Sequence, residues 1–338
     1  MSTKTSPLFE LDSTIAEDQT VYRIIDFFSA CQIMSDKKFM IARSDTFQDK
    51  NEGVERLLSQ LEAVAAGGGC GGMGWHDKAT ARREHDSVKC SSYVSCWSRN
   101  PESVAMWSLY SPDLQSVRIS TRVSKLRQIA ENLIGKYDVR RFGKDDLGGL
   151  VVASILGRIA AVQYRSLTKI AKAVTNRAKA HQRIAARYKR KELDLPKFDL
   201  DFLQREERRR LPELRESGYL KDDSFKHEEE IRVLVRLGQA SCTDHVLRYA
   251  DLFEQSDAHR RVLRQSLNVW SYLHPTDVPE RAFVDCAVDF VETVAIDPRC
   301  PPHKAAFMRK WFEANGVRVE QSNCFGYLPS TFDVFPDQ

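Results

Sequence analysis

The run Phe225-Lys226-His227-Glu228-Glu229-Glu230-Ile231-Arg232-Val233-Leu234-Val235 constrains the fold of this chain most, because hydrophobic residues alternate with charges over its second half. A period of two belongs to a strand. It sets Glu229, Ile231, Val233 and Val235 on one face and Glu228, Glu230 and Arg232 on the other. The apolar face must join a core, and the charged face has two readings. Carboxylates about 7 Å apart along a strand repel each other, so one pKa rises and a general base results unless water or a cation screens the pair. Alternatively, an edge strand carries these charges as a cross-strand ladder. His227 falls on the apolar face beside Ile231 and is expected to be structural.

With 338 residues, of which 42% are hydrophobic and 29% charged, the chain can bury a substantial core as one large domain or two modest ones. No apolar run reaches the roughly 18 residues that a membrane span needs, and the start, MSTKTSPLFELDSTIAEDQ, lacks the layout of a secretion signal. A cytoplasmic protein with no membrane partner is therefore expected. The eight cysteines show neither a Cys-x-x-Cys pair nor a His at ligand spacing, which argues against structural zinc and for reduced, buried thiols.

Strands are expected at 21–25, 39–42, 92–97, 117–120, 228–235, 291–296 and 317–319, and helices up to Met34, at 54–66, at 103–109, at 244–273 and from Pro301 to Asn315, stopped by Gly316. The glycine-rich run 67–74 follows a helix and has no Lys-Ser or Lys-Thr after it, so it reads as a flexible loop rather than a phosphate or dinucleotide cradle. From 125 to about 215 nearly every residue is helix-forming, with apolar spacing at Val152, Ile155, Ile159, Val162, Ile170 and Val174. The expected class is α+β: one mixed-sheet domain whose halves, 1–124 and 218–338, flank a basic helical insertion at 125–217.

That insertion holds the strongest charge bias of the chain. Residues 151–191 contain eleven Lys or Arg and no Asp or Glu, so the net charge of +4 leaves −7 for everything else (4 − 11). Arg165, Lys169, Lys172, Arg177, Lys179, Arg183 and Arg187 recur mostly at three- to five-residue steps, which gathers them on one side of a helix. Such a surface suits the phosphates of RNA or DNA, or an acidic protein regulator, although it also fits a solvated helix. With only Tyr164 and Tyr188 for stacking, backbone contact is expected rather than sequence readout.

Four polar clusters are candidates for a site. The first is Tyr22-Arg23. In the second, residues 44–53, Asp49 and Glu52 come close in a tight turn or serve as first-turn acids of a helix. The third joins Ser95-Cys96-Trp97-Ser98 to Met106-Trp107 and Tyr110, whose aromatics suit either a core or a cofactor platform. The fourth is the Glu228 strand.

In this order the clusters resemble a bacterial protein family of unknown function, with matches at Tyr22-Arg23, Thr46-Phe47-Gln48-Asp49 with Glu52, Cys96-Trp97-Ser98, Met106-Trp107 with Tyr110, and Phe225 with Glu228, Glu230 and Arg232. Gln48, Lys50 and Phe225 depart from its pattern, which has Asn, Pro and Trp there. The order of Arg, Ser and Glu-x-Glu is also similar to that of ADP-ribosyltransferases. That resemblance implies an ADP-ribosyltransferase-like sheet with NAD as cofactor. Arg23 would grip its phosphates, Ser95 or Ser98 would orient the ribose, and Glu230 and Glu228 would stabilise an oxocarbenium-like centre and prepare the acceptor. Tyr22, Phe47, Trp107 and Tyr110 would line the cofactor. It points to a toxin-like or defence-type enzyme acting on a nucleic acid or protein, or hydrolysing NAD. Two competitors remain: a nuclease holding Mg²⁺ on Asp49, Glu52, Glu228 and Glu230, and a non-catalytic binding module whose carboxylates neutralise Arg23 and Arg232.

Overall fold

The computed structural model of the protein describes residues 9–65, 78–137, 140–141, 150–189, 218–241 and 279–326. In chain order, β1 (Glu10–Leu11) and β2 (Thr20–Asp26) lead into α1 (Phe27–Asp36) and β3 (Lys38–Arg43). Two helices, α2 (Val54–Ala65) and α3 (Lys78–Cys90), precede β4 (Ser92–Ser98), α4 (Val104–Tyr110), β5 (Ser116–Arg122) and α5 (Val123–Tyr137). Next come β6 (Arg140–Arg141), β7 (Leu150–Ala161), β8 (Gln163–Arg165), α6 (Leu167–Lys189), β9 (Leu220–Asp222) and β10 (Glu230–Ser241). The last described elements are β11 (Arg281–Asp285), β12 (Thr293–Ile296), α7 (Pro302–Ala314) and β13 (Arg318–Glu320).

Helices and one large mixed sheet make the class α+β. The strand order is β1-β7-β10-β4-β2-β5-β12-β13, with β3 pairing both β4 and β11, and β6 pairing β7. The β1–β7 and β12–β13 pairs are parallel and the other pairs of this sheet antiparallel, while β8 and β9 form a separate parallel pair. Local chemistry marks the ends of elements. Asp26 caps α1 through the Ser29 N–H at 2.9 Å, Ser103 caps α4 through the Met106 N–H at 3.2 Å, and Gly316 at φ +76° follows α7.

Register divides the sheet into two unlike faces. One carries Val21, Trp97, Val117, Ile119, Ile231, Val233 and Val235, packed with Ala30 and Ile33 of α1, Leu126 and Leu133 of α5, and Phe312 of α7 in the main core. The other carries Glu230, Arg232, Cys96, Ser98 and Tyr22, under a cover that includes α2, α4, α6 and the β8–β9 pair. β10 lies between β7 and β4, an interior strand rather than an edge.

Three expectations need correction. The helical reading of 125–215 fails over Leu150–Ala161 and Gln163–Arg165, which are strands, and β7 runs the whole length of β10. A strand between two neighbours reads as a nearly continuous apolar run, and such a run matches helical spacing by accident. Second, Glu228 is not in the strand. A 3₁₀ turn, Asp223–Glu228, ends there, and Glu229 at φ 44° swings the chain into β10. His227 therefore lies in that turn, away from the Ile231 face. Third, Cys300 and Cys324 are buried, but Cys31, Cys90, Cys96 and Cys286 are only half-buried; all six are free thiols. Cys70, Cys242, the glycine run and the expected 244–273 helix lie outside the described residues.

Candidate functional site

The charged face of β10 builds a closed ionic network around Arg232, whose side chain is 0% exposed. Its Nε donates to Glu230 Oε1 at 2.8 Å, Nη2 to Glu52 Oε2 at 3.3 Å, and Nη1 to the other Glu52 oxygen and to the Gly218 carbonyl, the latter at 2.6 Å. Lys221 of β9 places Nζ 2.5 Å from Glu228 Oε2 and 3.3 Å from Glu230 Oε2, and lies 4.6 Å from the Phe225 ring centre. The Tyr110 hydroxyl donates to Glu228 Oε1 at 2.7 Å, and the Tyr164 hydroxyl accepts from the Glu230 N–H at 2.7 Å. Glu52, Glu228 and Glu230 are all buried.

Two cations face three carboxylates here, and the balance decides which carboxyl rises. Burial pushes Glu230 up, but Arg232 and Lys221 together outweigh it and hold it down at about 2. At Glu230 the exception to a raised carboxyl applies, because cations screen it, and they come from the protein itself. The raised acids lie on the covering segment. Burial lifts Glu52 above its ordinary value against the pull of Arg232, and lifts Glu55 to about 7. Glu55 is fully buried, accepts from the Gly218 N–H through Oε1 and, among the described residues, has no partner for Oε2. Gly218 is thus held by Glu55 at its N–H and by Arg232 at its carbonyl, with φ +97°, a conformation that suits glycine.

The other candidates separate into groups. Glu230 stands opposite Ser98, and Ser98 opposite Tyr22, so these three form one row across β10, β4 and β2. The row ends at a cleft lined by Tyr22, Arg23, Ser98, Asn100, Met106 and Trp107, with a free volume of about 10 Å³, roughly one water molecule. By register, however, Arg23 and Ser95 belong to the opposite, core face. Arg23 pairs in register with Ile119, donates from Nη1 to Ser95 Oγ at 2.9 Å and lies 5.6 Å from the Phe39 ring centre. Burial lowers its pKa while Cys96, Tyr110 and Glu230 oppose that shift, and among the described residues no carboxylate comes within 4 Å of it. Phe47 packs with Val94, Tyr219 and Leu234, and Trp107 with Ala295 and Cys324, so both serve as core. Asp49 accepts from the Asn51 N–H at 2.8 Å within its own turn. Side-chain cations stand between Glu52, Glu228 and Glu230, where the nuclease reading would place a metal.

Residues 106–233 match the family model described as protein of unknown function (DUF2971). The DUF2971 span contains Tyr110, Tyr164, Lys221, Glu228, Glu230 and Arg232, and excludes Glu52, Glu55 and the Tyr22-Arg23 pair. The expected resemblance to a family of unknown function therefore holds over the inner part of the network. No curated protein and no solved structure matches the chain. Sequence reasoning missed Lys221, Glu55 and Gly218, and took Tyr164 only for a stacking aromatic of the basic insertion. None stands in a recognisable motif, and only the fold brings them to Arg232.

On the DUF2971 span also lies α6, anchored by Ile170 and Val174, which pack with Leu220, Leu58 and Leu167. Lys169, Lys172, Lys179 and Arg183 are exposed, and Arg177 is half-buried. Arg165 is exposed on β8 rather than on the helix, and the Arg187 side chain lies outside those described. Among the described residues no helix is long and apolar enough to cross a membrane.

Proposed function

We propose that the protein binds a phosphate polymer, RNA or DNA, along the outward side of α6. One observation carries this reading: the helix has no acid, and its exposed cations share one side. At 100° per residue, Lys169, Lys172, Lys179 and Arg183 fall within about 80° of arc, roughly opposite buried Ile170 and Val174. They span about 21 Å along the axis, enough to follow several phosphates. A solvated helix ordinarily mixes both signs, whereas this one concentrates positive charge in a chain otherwise net negative. The buried network supports the binding reading as well. It ties β9, β10 and the segment leading into α2 together beside α6, and its carboxylates are already engaged by Arg232 and Lys221.

Binding to a 20-base-pair duplex, as RNA and as DNA, measured by fluorescence anisotropy from 50 to 300 mM salt, tests it. Four phosphate contacts correspond to a slope of log K against log salt of about −3.6, and the variant K169Q/K172Q/K179Q/R183Q should lose most of it. Equal slopes for the two proteins, or no binding at low salt, would remove the proposal.

A second reading, NAD chemistry of the ADP-ribosyltransferase kind, is favoured by the row Tyr22, Ser98 and Glu230. It requires α4 to move away from the narrow cleft beside that row, since the cleft admits only about one water. Nicotinamide release by the wild type that disappears in Glu230→Gln, with the variant still folded, is the expected result under this reading. A wild type that leaves labelled NAD intact with RNA, DNA and cell lysate present would end it.

A further inference from the structure

We propose that the cleft between the first turns of α1 and α7 binds a small organic cation, an ammonium bearing an aromatic or other apolar group. The cleft shares no lining residue with the ionic network or with α6, and has a free volume of about 390 Å³, within the range of small-molecule sites. Phe27 closes its inner side, buried against Phe312 and Trp311. Two further rings line it from different elements: Phe28 of α1, 78% exposed, and Phe307 of α7, 63% exposed. Their centres lie 5.5 and 6.3 Å from that of Phe27, at interplanar angles of 63° and 69°. Two exposed rings, each set steeply to the same buried ring, line one space, and ammonium groups favour such aromatic surroundings because ring faces carry negative charge.

Neighbouring charges select the sign of the occupant. Asp26 and Asp113 both line the cleft. Asp26 accepts from the Ser29 N–H and hydroxyl, and the exposed Asp113 accepts from the Gln115 N–H through Oδ1 at 3.1 Å. Lys304 and His303 also line the cleft, but the Lys304 ammonium is directed to Gln115 Oε1 at 3.0 Å. Two carboxylates against one engaged ammonium favour a cation over an anion. The exposed rings disfavour a purely polar ligand. Two phenylalanines left in water also forgo burial of apolar surface, a loss that an apolar occupant removes.

Benzyltrimethylammonium is the probe, with benzyl alcohol as neutral control and benzoate as anionic control, each titrated into the full chain by calorimetry and saturation-transfer NMR. Saturable binding of the cation is expected, with the two controls at least about tenfold weaker. Phe28→Ala and Phe307→Ala should each weaken it about five- to tenfold, and Asp113→Asn about threefold. Both phenylalanines are exposed, so these variants should keep the wild-type melting profile. The proposal falls if the cation fails to bind, if all three probes bind alike, or if neither phenylalanine variant changes its affinity.

Discussion

Arg232→Ala is expected to destabilise the protein by about 3–5 kcal/mol, measured as a lower midpoint in urea with an unchanged slope. The guanidinium is the shared partner of Glu52 and Glu230, all three groups are buried, and truncation leaves two carboxylates with Lys221 as the nearest cation. A buried charge without its partner is far more costly than the intact pair is stabilising, so the triple variant E52Q/R232M/E230Q should recover much of the loss. Acid should produce a graded version of the same effect. Glu230 has a folded pKa of about 2 against an ordinary 4.5, so its contribution is complete above pH 4.5 and disappears as pH falls toward 2. Arg232→Ala should lack most of that acid-dependent loss. A loss below about 1 kcal/mol in Arg232→Ala would show that the network is incidental to the fold.

Gly218→Ala is expected to cost about 2–4 kcal/mol, from two causes that a second substitution separates. A Cβ at 218 would sit 2.3 Å from Leu234 Cδ1, and φ of +97° strains any L side chain regardless of space. Leu234→Val in the Gly218→Ala background removes Cδ1 and should restore the steric part, leaving the backbone part. Because Gly218 is also bonded to Glu55 and Arg232, movement of its backbone disturbs the network from the cover side. Denaturation of the single and double variants measures both parts; a change within 0.5 kcal/mol for Gly218→Ala alone would show that this turn adapts freely.

The residues that matter here were legible to different degrees, for physical reasons. The alternation from Glu230 to Val235 disclosed a strand with a charged face, and that face is where the network sits. The sequence could not disclose what neutralises it, because Glu52 is 180 residues from Arg232 and Lys221 belongs to a strand of only three residues. The basic side of α6 was visible because exposed charges and buried Ile170 and Val174 keep the helical period. β7 was misread because Val152, Ile155 and Ile159 recur at three and four, although the run is held as a strand between β10 and its other neighbours. α3 went unseen because it is strongly polar, with Val88 its one large aliphatic residue. Arg23 and Ser95 are hydrogen-bonded to each other on the core side, a placement the sequence could not disclose, since strand parity fixes which residues share a face and only the pairing register shows which face that is.

The central place of β10 also sets a timetable for synthesis. β4 and β7 each give one long edge to β10, yet β4 is complete at Ser98 and β7 at Ala161, while β10 begins only at Glu230. At about 5–20 residues per second, the edge of β4 waits of the order of ten seconds on the ribosome before its partner is made. During that interval Tyr93, Val94 and Trp97 sit beside unpaired backbone, the combination that recruits foreign strands. Between these two points the nascent chain therefore carries an open, apolar strand edge, and a holding chaperone would protect it there.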